Sequence, residues 1–163
     1  MQNVCIYKTE IGRIAIATEG SFLTNIFYKR RLYLLKKCEF FGRETEDMKN
    51  IFKQIEEYLR GERKIFDVQM ALRGTDFQKK VWEQLLGIPY GETRSYKEIA
   101  RQIGVPKGAR AVGMANNKNP IPLIVPCHRV IGAAGDLVGY GGGLDLKQKL
   151  LALENSHSKD NNL

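Results

Sequence analysis

The chain has 163 residues, of which 43% are hydrophobic, and a formal net charge of +8. This composition allows a buried core and excludes wholesale disorder, and no apolar run approaches the ~20 residues of a membrane span. The cysteines, Cys5, Cys38 and Cys127, are odd in number and widely spaced. That spacing argues against a disulfide framework and, with no apolar secretory signal at the N-terminus, favours a cytoplasmic location.

The first 70 residues are predicted to form one small unit of strands followed by a helix. Short runs rich in Val, Ile, Phe and Tyr indicate hairpin-connected strands at 2–8, 12–18 and 21–28. A further strand is expected within Arg31–Phe40. Apolar residues at helical spacing from Met48 to Leu59, with Gly61 after them, predict a helix.

Residues 71–154 are predicted to form a second, mostly helical domain. Two capping boxes, Thr75 with Gln78 and Ser95 with Glu98, each mark the start of a helix. Glycines at 87 and 104 follow where these helices would end. The chain is therefore α+β in class, with strands concentrated in its first half.

A third helix is expected from about residue 108 to residue 116, directly after a short turn. Helix, tight turn and helix together outline a helix-turn-helix, in which the second helix carries Arg110 and the small residues Ala111 and Gly113. Residues 92–131 hold seven basic and two acidic side chains, a net charge of +5 that includes Arg94 and Lys107. Such a segment suits contact with phosphates, although an ordinary solvated face would have the same composition.

The remaining elements are an apolar loop or strand over 119–126, a glycine-rich segment over 132–143 and a final helix over about 145–154. The polar residues 155–163 are expected to form a frayed tail.

Cys127 and His128 are the residues of the chain best suited to nucleophilic chemistry. A thiol attacks as its thiolate, so it needs a neighbouring base, and an imidazole works best when a carboxylate orients it. Glu154, at the end of the last helix, is a candidate for that carboxylate. Taken alone, the Cys-His pair is weak, since Cys127 follows an apolar run and a buried core cysteine would look the same.

The wider pattern is far more specific. The string Val125-Pro126-Cys127-His128-Arg129-Val130-Ile131, preceded by Asn119-Pro120 and followed by Gly139-Tyr140-Gly141-Gly142-Gly143, closely resembles the O6-alkylguanine-DNA alkyltransferase family. The resemblance covers residues 70–154, while the first domain is similar in outline only. It implies a ribonuclease-H-like N-terminal domain, a winged-helix-like C-terminal domain, and repair of O6-alkylguanine in double-stranded DNA by a monomer without a cofactor.

The resemblance also implies a role for individual residues. Cys127 is then the alkyl acceptor, His128 its base through a water, Glu154 the carboxylate that orients the histidine, and Asn119 the support of the active-site turn. Tyr96 assists base rotation and donates to the base, and Arg110 fills the gap in the base stack. In the base pocket, the carbonyls of Cys127 and Val130 then accept from the guanine amine, the amide of Gly141 donates to O6, and the ring of Tyr140 forms a wall.

The chain departs from the family pattern in three respects. Some members bind zinc through N-terminal Cys and His ligands, but the candidates here are only Cys5 and Cys38, so no metal is expected. Gly141 stands where some relatives have serine, and Asn116 where some have an apolar residue against the base, so the tolerance for bulky alkyl groups stays open. The sequence does not indicate whether O6-alkylguanine or O4-alkylthymine is handled better.

Three other classes of protein fit parts of the pattern. A non-enzymatic lesion sensor would lack the cysteine that is present here. A transcription regulator would need base-reading Asn, Gln and Arg residues, in which this short recognition helix is poor. A cysteine hydrolase would need an oxyanion hole, which the sequence does not identify.

Overall fold

The computed structural model describes residues 2–28, 31–37 and 42–159, and the chain divides into two compact units, 1–73 and 74–163. In the described part of the chain, no helix is both long enough and apolar enough to cross a bilayer.

The first unit is a three-stranded antiparallel sheet with one helix. Its strands are β1 (Gln2–Thr9), β2 (Gly12–Glu19) and β3 (Phe22–Phe27), in the order β1-β2-β3, as their hydrophobic runs predicted. The central strand β2 buries five consecutive residues, so both of its faces are covered.

Helix α1 (Glu46–Leu59) begins at Thr45, whose side chain accepts from the Met48 amide. It packs against β1 and β2. Gln54 fastens the following segment, since its amide exchanges two 2.9 Å hydrogen bonds with the backbone of Asp67.

The strand expected within Arg31–Phe40 is wrong where the structure describes it, because Leu32–Lys37 form a 3-10 helix. Leu35 is buried against Val4, Ala15 and Ala17 of the sheet. Local β-propensity is overridden here by packing onto a sheet face. Residues 38–40, Cys38 among them, lie outside the described residues.

The second unit contains the helices α2 (Asp76–Leu86), α3 (Tyr96–Gln102), α4 (Ala109–Asn117) and α5 (Leu144–Ser158). Both predicted capping boxes are present, at Thr75 with Gln78 and at Ser95 with Glu98. Helices α2 and α3 pack on α4, and the Trp82 indole ties α2 to α4 by donating to the Ala115 carbonyl at 2.9 Å.

Two strands of two residues each, β4 (Arg94–Ser95) and β5 (Val130–Ile131), pair in parallel. The pair connects α3 with the segment Cys127–Arg129, because β4 leads directly into α3 and β5 directly follows Cys127–Arg129. Residues 119–126, expected as a loop or strand, form turns.

The end of the chain differs from the prediction of a frayed tail over 155–163. Helix α5 continues through Ser158, so residues 155–158 are helical. Serine side chains satisfy carbonyls of this last stretch, since Ser156 donates to Leu153 and Ser158 donates to Asn155. Residues 160–163 lie outside the described part of the chain.

Candidate active site

Cys127 follows a tight turn in a buried loop. Pro126 has φ −81° and ψ 63°, the values of an inverse γ-turn, and the Cys127 amide donates to the Val125 carbonyl at 2.8 Å. Asn119 supports this turn, since its Nδ2 donates to the same carbonyl at 2.8 Å and its Oδ1 accepts from the Ile121 amide at 3.0 Å. The thiol is therefore attached to a well-braced backbone.

The same loop holds backbone strain. Leu123 has φ 73°, a left-handed conformation that costs a residue with a Cβ about 1–2 kcal/mol. Its side chain is buried, and so are its neighbours from Ile121 to Val130. Packing therefore keeps the loop in a conformation that the free chain would avoid.

His128 and Glu154 meet in a fully buried pair. His128 Nε2 lies 2.7 Å from Glu154 Oε1, and both side chains are almost completely excluded from solvent. Burial alone would raise the pKa of Glu154, but the hydrogen bonds from His128 and Arg129 lower it to about 2. The carboxylate is thus ionised, so the proton between the two groups belongs to His128 Nε2.

Burial lowers the pKa of His128 despite the opposing effect of Glu154. At neutral pH the imidazole is therefore uncharged, with its proton on Nε2 and a lone pair on Nδ1. A neutral imidazole in this tautomer can accept a proton on Nδ1, as a general base requires.

Arg129 is a third member of this cluster, to which the sequence analysis assigned no role. Its Nε donates to Glu154 Oε2 and its Nη2 to Glu154 Oε1, both at 2.9 Å, while Nη1 donates to the Ile88 carbonyl at 2.6 Å. The guanidinium also lies 5.7 Å from the centre of the Tyr90 ring. Such a two-bond contact fixes the plane of a carboxylate as well as its charge, and so orients the carboxylate towards His128.

Lys147 is a second residue that the sequence analysis missed. It is completely buried on α5 and donates through Nζ to the carbonyls of Val130 and Val138. Burial lowers its pKa, and the nearby Cys127 opposes that effect. At helical spacing Lys147 aligns with Leu150 and Glu154, a pattern that could have revealed a buried lysine.

The Cys127 thiol is only 3% exposed. Burial raises its pKa, whereas a hydrogen bond from Asn119, the charge of Lys147 and a hydrogen bond from Tyr140 lower it. The pKa stays above the ordinary value on balance, so the resting group is a thiol that must lose its proton in order to react.

Tyr96 lies at the start of α3, where the pairing of β4 with β5 brings it close to Cys127–Arg129. Its hydroxyl donates to the Val138 carbonyl at 3.0 Å, and burial raises its pKa to about 12. The phenol is therefore protonated, with its hydrogen directed at a backbone oxygen of the glycine-rich segment.

The predicted DNA-contacting residues lie on α4, in the turn before it, and at β4 and the start of α3. Arg110 and Ala111 are exposed on α4, and Lys107 is exposed in the turn before it. A Cβ at Gly113 would lie 3.7 Å from the Tyr96 ring, an ordinary van der Waals contact, so Gly113 lies beside Tyr96. Arg94 is partly neutralised, because it pairs with Glu92 at 2.8 Å.

Two of the predicted pocket residues lie near Cys127, since Val130 directly follows Cys127–Arg129 and Tyr140 forms a hydrogen bond with Cys127. Val130 is buried and its carbonyl accepts from Lys147, while Tyr140 and Gly141 are half-buried. Within the described residues, no group of three or more His, Cys, Asp or Glu side chains is arranged to bind a metal ion.

Comparison with known proteins covers both units. Residues 5–72 match the ribonuclease-like domain of 6-O-methylguanine DNA methyltransferase, and residues 76–156 match the DNA binding domain of the same family. This agrees with the predicted α+β fold, in which a ribonuclease-H-like domain precedes a helical one.

Individual relatives align over nearly the whole chain. The methylated-DNA–protein-cysteine methyltransferase of Mycobacterium bovis is 52% identical over 151 residues, which are 91% of this chain and 89% of the relative. That of Methanosarcina acetivorans is 48% identical over 93% of this chain and 97% of the relative.

Solved structures agree with these alignments. The Mycobacterium tuberculosis O6-methylguanine methyltransferase superposes with a TM-score of 0.84 at 48% identity, over 96% of this chain and 94% of that one. The M. tuberculosis protein in complex with DNA gives the same TM-score and identity over 95% and 94% of the two chains. The chain therefore belongs to the 6-O-methylguanine DNA methyltransferase family.

Proposed function

We propose that this chain repairs DNA by direct reversal, moving the alkyl group of O6-alkylguanine onto Sγ of its own Cys127. The observation that carries the proposal is a buried cysteine followed directly by a neutral histidine whose Nε2 is bound to an ionised carboxylate. The family match and the DNA complex of a relative support double-stranded DNA as the partner.

The buried position of Cys127 requires the base to leave the duplex. Base extrusion costs a few kcal/mol, and less for a weakened pair such as one with an alkylated guanine. The exposed Arg110 is assigned to the space that the base vacates, and Lys107 and Arg94 to phosphates. Small residues at Ala111 and Gly113 let α4 lie close to the groove.

The chemistry begins with loss of the thiol proton to Nδ1 of His128, directly or through a water. The S–C bond forms as the C–O6 bond breaks, and the electron pair of that bond remains on guanine. A hydrogen bond from the Tyr96 hydroxyl to a ring nitrogen stabilises the charge on the leaving guanine, and transfer of that proton neutralises it. The positive charge of Lys147 lowers the pKa of Cys127 and therefore stabilises the thiolate.

The product is a thioether, which offers no easy reverse reaction, so one protein removes one alkyl group. Acceptor and base are both side chains, so the reaction calls for no cofactor. Methyl is the alkyl group proposed first, with O4-alkylthymine as a further candidate substrate. A monomeric state and a cytoplasmic location remain predictions from the sequence.

The test is intact-mass spectrometry after incubation with a duplex that contains O6-methylguanine. We expect a gain of one methylene on the peptide that holds Cys127, a plateau at one lesion per protein, and no gain in Cys127→Ala. The alanine variant should still bind DNA. Multiple turnover, or demethylation by Cys127→Ala, would show that the cysteine is not the acceptor.

A further inference from the structure

Asn116 holds an unsatisfied acceptor next to the reactive cysteine. The residue lies in the last turn of α4 and is only 2% exposed. Its Nδ2 donates to the Cys127 carbonyl at 3.3 Å, which sets the orientation of the amide because a carbonyl can only accept. In the described part of the chain, Asn116 Oδ1 has no hydrogen-bond partner.

A buried acceptor without a partner is unfavourable, and in native proteins it commonly marks a functional position. The packing around Asn116 indicates where the partner would come from. Besides contacting the Cys127 carbonyl, the Asn116 side chain lowers the pKa of the Tyr96 hydroxyl against the effect of burial, so it is close to that group as well. Oδ1 and Nδ2 are bonded to the same carbon, so the acceptor without a partner belongs to the same buried surroundings as these two groups.

Tyr96 and the Cys127 backbone are also the groups that the proposed function places around the extruded base. A donor group of that base is therefore the candidate partner for Asn116 Oδ1. O6-alkylation removes the N1 hydrogen of guanine, which leaves the exocyclic amine as the donor on the pyrimidine edge of the base. O4-alkylthymine has lost its N3 hydrogen and has no amine, so it presents no donor there.

We infer that Asn116 Oδ1 accepts a hydrogen bond from the exocyclic amine of the extruded guanine and thereby selects O6-alkylguanine over O4-alkylthymine. This inference rests on the proposed function and adds a specificity-determining residue to it. A site built to bind a donor rejects the analogue that lacks it, because the polar group of the site then stays unpaired. The Cys127 carbonyl has a second lone pair and can accept the other hydrogen of the amine, while the Val130 carbonyl accepts from Lys147.

The experiment compares three lesions in otherwise identical duplexes: O6-methylguanine, O6-methylhypoxanthine, which lacks only the amine, and O4-methylthymine. Second-order rates of methyl transfer are measured by intact mass for the full-length protein and for Asn116→Leu, which has the same branched shape and number of heavy atoms but no polar atoms. Asn117→Leu makes the same chemical change at the next position of α4, which is exposed, and serves as the matched control.

We expect Asn116→Leu to reduce the preference for O6-methylguanine over O6-methylhypoxanthine about tenfold, the effect of one hydrogen bond. The rate with O6-methylhypoxanthine should hold or rise, since no acceptor is left unpaired. The preference over O4-methylthymine should fall in parallel, and Asn117→Leu should keep the original ratios. Asn116→Asp keeps acceptor oxygens without the donor, so it should retain the preference at lower absolute rates.

Equal loss of rate on all three lesions in Asn116→Leu would overturn the inference, because it would mean that Asn116 only supports the Cys127 backbone. Loss of the preference in Asn116→Asp would also contradict it, and this variant provides the test if Asn116→Leu does not fold. Failure of the unsubstituted protein to take the methyl group from O6-methylguanine would instead refute the proposed function.

Discussion

Replacing Glu154 with glutamine removes the negative charge at the centre of a buried network. The carboxylate accepts from His128 at 2.7 Å, from two nitrogens of Arg129 at 2.9 Å each and from the Gly91 amide at 3.2 Å. The fall of its pKa from 4.5 to about 2 corresponds to about 3 kcal/mol. Removing one partner of a buried ion pair costs about 3–5 kcal/mol, so we expect a loss of that size in the free energy of unfolding.

The pH dependence of stability provides a second measure of the same contribution. Because the pKa of Glu154 is lower in the folded state, its contribution is present above the unfolded pKa and is lost as pH falls towards about 2. Glu154→Gln lacks this contribution at every pH. The difference in stability between the two proteins should therefore shrink as pH falls from about 5 towards 2.

Urea unfolding, followed by the fluorescence of the buried Trp82 at several pH values, measures both effects. Glu92→Gln is the matched control, since Glu92 pairs with Arg94 at the surface and is 52% exposed. Exposed pairs contribute at most about 1 kcal/mol, so the control should stay close to the unsubstituted protein.

Glu154→Gln should lower the rate of alkyl transfer as well as the free energy of unfolding. Without the carboxylate, the proton of His128 is no longer held on Nε2, so Glu154→Gln should react more slowly with free O6-benzylguanine as well as with alkylated duplex DNA. Unfolding at the original urea concentration would refute the ion-pair reasoning. Loss of stability with an unchanged rate would show that Glu154 supports the fold and does not orient the base.

Three further predictions separate binding, extrusion and thiol activation. Arg110→Ala should slow repair in duplex DNA by about 1–3 kcal/mol of activation free energy, the scale of one stacking contact, and leave the rate with free O6-benzylguanine unchanged; equal slowing of both would place Arg110 in the pocket or the core. Affinity for undamaged duplex should fall steeply with salt, by about one unit of log-log slope per phosphate contact, and a flat salt dependence or a strong preference for one sequence would contradict an electrostatic interface. Lys147→Met should raise the pKa of Cys127, because it removes a charge that lowers it, and should move the pH–rate profile to higher pH; an unshifted profile would mean that Lys147 only supports the backbone.

Local sequence signals were sufficient for most elements of this protein. Short runs rich in Val, Ile, Phe and Tyr located β1, β2 and β3, and the capping boxes at Thr75 and Ser95 located the starts of α2 and α3. Each of these signals depends on residues that are close together in the chain. The motif around Cys127 was specific enough to indicate the family. Where local preference competed with distant packing, as in the 3-10 helix Leu32–Lys37, the prediction failed.

The arrangement of the candidate site could not be predicted from local sequence, because it depends on contacts between residues far apart in the chain. The pairing of Arg94–Ser95 with Val130–Ile131 brings Tyr96 to Cys127, and α5 brings Glu154 and Lys147 to the same turn. Nearby residues in the sequence do not predict the contact of Arg129 with Glu154 or the burial of the Asn116 amide. Arginine and asparagine are mostly exposed in proteins, so both would be expected at the surface. Burial decides which of these polar groups are charged and which need a partner, and burial is a property of the tertiary structure alone.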